Sequence, residues 1–252
     1  MSEWFENEDF WTEMYPYMFP EERFQSAEDQ VDKILSLVEF SGTHILDLCC
    51  GPGRHATILA ERGFSVTGVD ATAFLLQKAR ARASERKLDV EFVQEDMRRF
   101  VRSSSYDLVL NMFTSFGYFD DKDEDLRVLS NMYESLRPGG VLVMDLVSKE
   151  WLAKVFAATS SEVHPDGTLL VQRREIFDDW TRIRNEWLLI RDEQVRSFKF
   201  HHTLYSGQEL KDRLLQVGFS ATQLYGDLKG RAYGTSAKRL VALARKEAPS
   251  HG

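Results

Sequence analysis

Cysteine is scarce in this chain. There are two in 252 residues, and they are neighbours, Cys49 and Cys50. Adjacent cysteines cannot staple distant segments, so a disulfide framework is excluded and a reducing, cytoplasmic setting is expected. Histidine is sparse too, six in all, and no Cys/His cluster has zinc-ligand spacing, so no metal is expected. No apolar run approaches the roughly 20 residues needed to span a bilayer. The N-terminus, MSEWFENEDFW, lacks the basic start and apolar stretch of a signal peptide. Positive charge is also short: 32 Lys and Arg against 40 Asp and Glu leave a net −8, which disfavours a charge-driven grip on nucleic acid. What is present is a 43% hydrophobic content, ample for one large domain or a domain with an insertion.

The pattern of that hydrophobic content alternates. Short apolar runs at 44–48, 65–70, 90–94, 106–112 and 141–146 are separated by helix-compatible segments at 54–62, 72–86 and 123–136, with Arg137-Pro-Gly-Gly140 read as the stop of the last helix. Such alternation predicts a parallel sheet covered on both faces. Upstream, Ser26-Ala-Glu-Asp29 reads as a capping box opening a helix over 26–39. The 25 residues before it carry eight aromatics and read as an arm that packs on the domain or a ligand. Residues 169–205 break the alternation and predict three antiparallel strands, 169–177, 182–190 and 195–205, with Phe198, Phe200, His202 and Leu204 on one face. His201 and His202, adjacent on a strand, must point to opposite faces. The basic residues of this stretch, seven of them, are nearly balanced by six acids, so a solvated sheet face is expected. A helix from Ser206 to Val217 and strands at 221–225 and 239–245 close the chain.

The stretch ILDLCCGPGRHA, residues 45–56, holds the chemistry. A strand ends in Asp47, Gly51-Pro-Gly53 makes a tight turn, a helix follows, and a second strand ends in Asp70, 17 residues beyond Gly53. That is the layout of a nucleoside-binding βαβ unit, in which the second acid can accept hydrogen bonds from a ribose diol. The spelling G-x-G-x-x-A leaves a dinucleotide site open. Asp47, four residues before Gly51, would crowd a pyrophosphate but suits a cofactor carrying an amino group and a sulfonium. Gln94-Glu-Asp96-Met97 offers a carboxylate for an adenine amine and a thioether for its ring face.

Five segments, ILDLCCGPG, VTGVDAT, FVQEDMRRF, YDLVLNMFTSFGYF and LRPGGVLVMDL, resemble in this order the class I S-adenosylmethionine-dependent methyltransferases. The tail, LYSGQELKDRLLQVGFSATQLYGDLKGRAY, looks like that of a bacterial subgroup with a small antiparallel sheet after the fifth strand. The resemblance implies an α/β, Rossmann-like, mostly parallel seven-stranded sheet of order 3-2-1-4-5-7-6 with an inserted antiparallel sheet. It divides the chain into an arm or lid (1–25), a methyltransferase core (26–158 and 206–247) and an inserted substrate cover (159–205). It implies that S-adenosylmethionine, leaving as S-adenosylhomocysteine, is held by Asp47 near the ammonium, Gly51 and Gly53 under the methionine part, Asp70 on the ribose, Ala71, Asp96 and Met97 at the adenine, and Asn111 facing the methyl. Tyr15, Tyr17, Phe116 and Tyr118 are candidates for the substrate mouth; no catalytic base is assigned. Cys49 departs from the family, standing where its first motif glycine is usual. Asn111-Met-Phe-Thr114 is not the Asn-Pro-Pro-aromatic signature of enzymes acting on base amines, which turns expectation to a small-molecule acceptor, with monomer and dimer both open. The rival readings are a non-catalytic nucleoside-binding or assembly subunit and a dinucleotide-dependent oxidoreductase.

Overall fold

The computed structural model describes residues 3–248, so the first two residues of the expected arm lie outside it. Five parallel strands, β1 (His44–Leu48), β2 (Ser65–Asp70), β3 (Glu91–Gln94), β4 (Tyr106–Asn111) and β5 (Leu136–Val147), are followed at one edge by β11 (Arg239–Arg245), which runs antiparallel to β5, and by β10 (Ala221–Tyr225), antiparallel to β11. Counted from the β3 edge the order is 3-2-1-4-5-11-10, the expected order once four inserted strands are numbered in. Side-chain alternation splits the apolar residues between two cores. Leu46, Leu48, Val109, Leu142 and Met144 pack under α5 (Lys122–Ser135) and α7 (Gly207–Gln216). Ile45, Leu108, Leu110, Val141 and Val143 pack under α2 (Glu21–Leu37) and α3 (Arg54–Glu61). On β2 and β3, α4 (Ala73–Glu85) buries Leu75, Leu76 and Ala79.

The inserted sheet has four antiparallel strands, not three: β6 (Thr159–Val163), β7 (Leu169–Phe177), β8 (Arg182–Arg191) and β9 (Gln194–Thr203). The extra strand, Thr-Ser-Ser-Glu-Val, is polar and exposed along its length, so it carries no hydrophobic alternation to read. The short α6 (Lys149–Val155), capped by Ser148, also went unread, for it buries no residue. α2 begins at Glu21, five residues before the expected cap. Pro20 sits in the capping position with its ring-fixed φ, Glu21 and Glu22 favour the helix N-terminus, and the Ser26 hydroxyl instead donates to Arg23 O inside the helix. α5 ends at Ser135 as Arg137-Pro-Gly-Gly140 suggested; the tetrapeptide lies within β5 as a local excursion, where the pairing with β4 slips from Tyr106–Leu136 to Leu108–Val141.

The arm is helical. After a 3-10 turn at Trp4–Glu6, α1 (Glu8–Met18) sets Phe10 and Met14 against Leu170, Leu189, Phe198 and Phe200 of the inserted sheet. The opposite side of α1 meets the core through Tyr15, whose ring stands edge-on to Phe74 at 5.6 Å. Of the basic residues of the inserted sheet, Arg173 pairs with Glu186 across the strands at 3.3 Å, whereas Arg196 reaches Asp9 and Glu13 of the arm, both at 3.2 Å.

Candidate active site

The site lies at the C-terminal ends of β1 and β2, beside the switch point where the strand order reverses between β1 and β4. After β1 the chain must turn sharply into α3. Gly53 supplies the turn at φ +74°, and a Cβ there would lie 2.9 Å from that of Ala79, so the helix enters against a neighbour that leaves no room. Cys49 adopts φ +63° without being glycine, which explains the family's preference for glycine there; its thiol meets the Met97 sulfur at 3.5 Å.

The acids at the strand ends differ in how they are used. Asp70 accepts Gly51 N–H at one oxygen and Thr72 N–H at the other, both 2.9 Å, and so ties the glycine turn to the end of β2. A carboxylate oxygen has two lone pairs, so each keeps one for a ligand diol. Asp47 is 1% exposed and its Oδ2 has no partner. Burial pushes its pKa up to about 7, opposed by the charge of Arg54. The Asp96 carboxylate is already gripped by Arg98, whose Nε lies 2.9 and 3.1 Å from its oxygens and whose Nη1 holds Glu3 of the arm at 3.0 Å. Asn111 is fully buried; its Nδ2 donates to Leu48 O at 3.3 Å and its Oδ1 is unpartnered.

A cleft joins these groups. Asp47, Cys49, Gly51, Asp70, Ala71, Asp96 and Met97 line it from the core, Trp4, Phe5, Trp11 and Phe19 from the arm, and Met112 to Ser115 with Tyr118 from the segment after β4. Gly53 and Asn111 stand behind this lining. Of the four aromatics read as a substrate mouth, only Tyr118 lines the cleft. The Tyr17 hydroxyl reaches Asp166 and Thr168 of the inserted sheet, each at 2.9 Å; Phe116 packs in the core against Tyr205; Tyr15 lies between Phe19 and Phe74. Phe113 and Thr114 hold positive φ, +59° and +64°, strain concentrated at the cleft edge. An unpartnered carboxylate beside a tight glycine turn, with a second carboxylate free to take a diol, fits a nucleoside that carries an amino-acid end.

Residues 45–140 match the family described as a methyltransferase domain. The chain carries a methyltransferase domain of class I. A Geobacillus protein designated a methyltransferase is 26% identical over 246 residues, 92% of this chain and 96% of that one. The dTDP-3-amino-3,4,6-trideoxy-alpha-D-glucopyranose N,N-dimethyltransferase of Streptomyces venezuelae is 27% identical over 213 residues, 81% of this chain and 86% of that one. The fold is shared with a S-adenosylmethionine-dependent methyltransferase from Clostridium acetobutylicum at a TM-score of 0.75 and 17% identity, over 89% of this chain and 92% of that one.

The methyltransferase has a second wall that the sequence pattern showed only in part. On β8 and β9, Ile183, Asn185 and Trp187 stand directly opposite His202, Phe200 and Phe198, so all six share the face turned to the arm. Trp4 stacks on Phe200 at 4.8 Å, and Tyr118 bridges Trp4 and His202, 5.1 Å from each. This wall is aromatic, yet it holds buried polar atoms with no partner: Trp4 Nε1, Trp187 Nε1, Asn185 Nδ2 and both ring nitrogens of His202. Burial lowers the His202 pKa to about 4, so its ring is neutral at pH 7. Native interiors leave few polar groups unsatisfied, and a cluster of them asks for a ligand or water.

Proposed function

We propose that this S-adenosylmethionine-dependent methyltransferase acts on a small, polar acceptor held between the cleft and the inner face of the inserted sheet. The observation that carries the reading is the cluster of unpartnered polar atoms on Trp4, Asn185, Trp187 and His202, joined to the cleft by Tyr118. The wall offers neutral hydrogen-bond donors and aromatic faces, which suits a compact molecule with oxygen or nitrogen substituents. The Streptomyces relative named for an amino-sugar nucleotide supports that size and polarity.

The sulfonium of the donor supplies an already activated methyl group. The chain's own work is therefore alignment and exclusion of water. Asp70 would take the ribose diol, Asp96, Ala71 and Met97 would frame the adenine, and Asp47 with the glycine turn would receive the amino-acid end. Asn111 would act from beneath, by fixing the end of β4 on which Met112 and Phe113 reach the cleft. The arm and the inserted sheet form the lid over the methyl group. Phe10 and Met14 hold the arm on that sheet, and Glu3 fastens it to Arg98. No base is assigned on the acceptor side: His202 is a weak base, and the carboxylates of the cleft lie on the donor side. An acceptor whose lone pair is free at neutral pH, such as an unprotonated amine, needs none. The expected compartment is the cytoplasm, where the free thiols Cys49 and Cys50 stay reduced.

The test is transfer of label from methyl-labelled S-adenosylmethionine into a cell extract separated into small-molecule and macromolecular fractions. Label should enter the small-molecule fraction, and Asn185→Leu should abolish most of it while leaving S-adenosylhomocysteine affinity unchanged. Label in protein or nucleic acid alone would refute the proposal.

A further inference from the structure

Trp4, Trp11 and Tyr118 border the cleft as one group: the Trp4 ring lies 5.9 Å from that of Trp11 and 5.1 Å from that of Tyr118. Among the described residues, Arg side chains cover the rings of Phe5, Phe24, Phe113 and Phe119, but no cation covers these three. Their polar tips are used unequally. Trp11 Nε1 donates to Phe5 O at 2.7 Å, as an indole placed for packing does. Trp4 Nε1 is buried without a partner, and among the described residues no hydrogen bond reaches the Tyr118 hydroxyl. Tyr118 also lies close enough to Cys49, on the donor turn, for the two to act on each other. Arg239, the cation that acts on Tyr118, is tied to Asp145 at 2.7 Å. The group therefore presents ring faces, one N–H and one hydroxyl, with no charge of its own.

What such a group can serve follows from where charge goes in methyl transfer. A lone pair of the acceptor bonds to the methyl carbon, the carbon–sulfur bond breaks with its electrons on sulfur, and the positive charge moves from sulfur to the acceptor atom. A hydroxyl must also give up its proton in that step. The groups beside these rings take a proton poorly. Burial keeps the Tyr118 phenol protonated and makes His202 and His55 weak bases, and His55 Nε2 is engaged with Gln30 Oε1 at 2.9 Å. An amine enters as the free base, since the donor's sulfonium repels an ammonium, and the charge rests on nitrogen until water takes the proton. Ring faces attract a cation by about 0.5–2 kcal/mol, and here they favour the state in which the charge has arrived. Packing alone accounts for Trp11 but not for the buried N–H of Trp4, where a phenylalanine would fill the wall without an unpaired donor.

We propose that the acceptor is an amine, its nitrogen placed against the rings of Trp4 and Tyr118, and that one nitrogen takes more than one methyl group. This rests on the small-acceptor reading above. A site built on hydrogen bonds loses its grip as methyl groups replace N–H, whereas ring faces hold an alkylated nitrogen as well as a bare one.

Methyl-labelled S-adenosylmethionine in a cell extract gives the first readout. Labelled small molecules should be retained by a cation exchanger at neutral pH, and mass spectrometry should find mono- and dimethylated forms of one amine. Neutral or acidic products, or monomethylated ones alone, overturn the inference and leave the small-acceptor reading standing. Label in macromolecules alone refutes that reading instead. The second readout is titration of the complex with S-adenosylhomocysteine, followed by tryptophan fluorescence. The probes are choline and its uncharged carbon analogue, in which a tert-butyl group replaces the trimethylammonium. Wild type should prefer choline by about 3–30-fold. Trp4→Leu and Tyr118→Leu should each weaken that preference. Trp4→Phe, which keeps a ring on Phe200, should retain most of it and melt as wild type does, which separates loss of the ring face from detachment of the arm. Wild type that does not prefer choline, or a preference untouched by both leucine variants, overturns the inference.

Discussion

The donor cleft and the acceptor wall are built by opposite rules. The cleft is made of strand ends and one turn within a parallel sheet, and its specific groups are charged: Asp47, Arg54, Asp70 and Asp96. Its geometry is held by backbone, as when Asp70 takes two main-chain N–H groups. The wall is assembled from an arm helix, the loop bearing Tyr118 and two antiparallel strands, and its unpartnered groups are neutral. Under the proposed function, a charged donor is met by groups tied through the backbone, and a small polar acceptor by an aromatic wall that the arm and the inserted sheet build together.

The comparison breaks most visibly if the cover is removed. Phe10 is 2% exposed at the centre of the arm's packing on the sheet, so Phe10→Ala should cost about 3–5 kcal/mol of arm docking. Proteolysis should then begin in the arm, and acceptor turnover should fall by more than tenfold while the core stays folded. A variant that keeps the arm protected would show that the arm is held by something other than this aromatic contact.

Gly53→Ala attacks the cleft instead. Left-handed φ and a Cβ 2.9 Å from Ala79 should together cost about 2–3 kcal/mol, or roughly 4–12 °C in melting temperature, with S-adenosylhomocysteine affinity falling in step. Thermal denaturation with and without ligand reads both.

The pH dependence of Asp47 is subtler. Burial holds its folded-state pKa at about 7, above the ordinary carboxylate value of 3.8, so the stability it contributes is fully present below pH 3.8 and is lost as pH rises from there through about 7. Ligand-free Asp47→Asn should therefore match wild type only below about pH 4 and melt progressively higher than wild type as pH rises to about 7. Wild-type affinity for S-adenosylhomocysteine should rise between pH 6 and 8 as the carboxylate ionises, and the variant should lack this rise. The smallest effect belongs to His202→Ala, which should change donor affinity by less than threefold while raising the acceptor concentration needed for half-maximal rate.

The same division decided what could be read beforehand. Asp47, Gly51, Gly53 and Asp70 fall within 24 residues, and their spacing alone implies a turn between two strands. The helix-length segments between apolar runs gave a parallel sheet, and its strand order came from the family resemblance. The acceptor wall had no such signature. Asn185 and Phe200 are neighbours only through the β8–β9 register, and Trp4 reaches them only because α1 docks. Tyr15, Tyr17 and Phe116 read as mouth residues by type, yet the docking of α1 and the packing of the core turn them elsewhere. Arg54 was visible in the motif GPGRHA, but that its guanidinium is buried over the Phe113 ring is a property of packing and not of spelling.

The most direct measurement is calorimetric titration of S-adenosylhomocysteine into wild type, Asp70→Ala and Asn185→Leu. Two charge-assisted hydrogen bonds to a diol should be worth about 3 kcal/mol. Asp70→Ala should therefore weaken binding by at least 100-fold, with Asn185→Leu indistinguishable from wild type. No binding to wild type, binding untouched by Asp70→Ala, or displacement of the ligand by NAD would contradict the account.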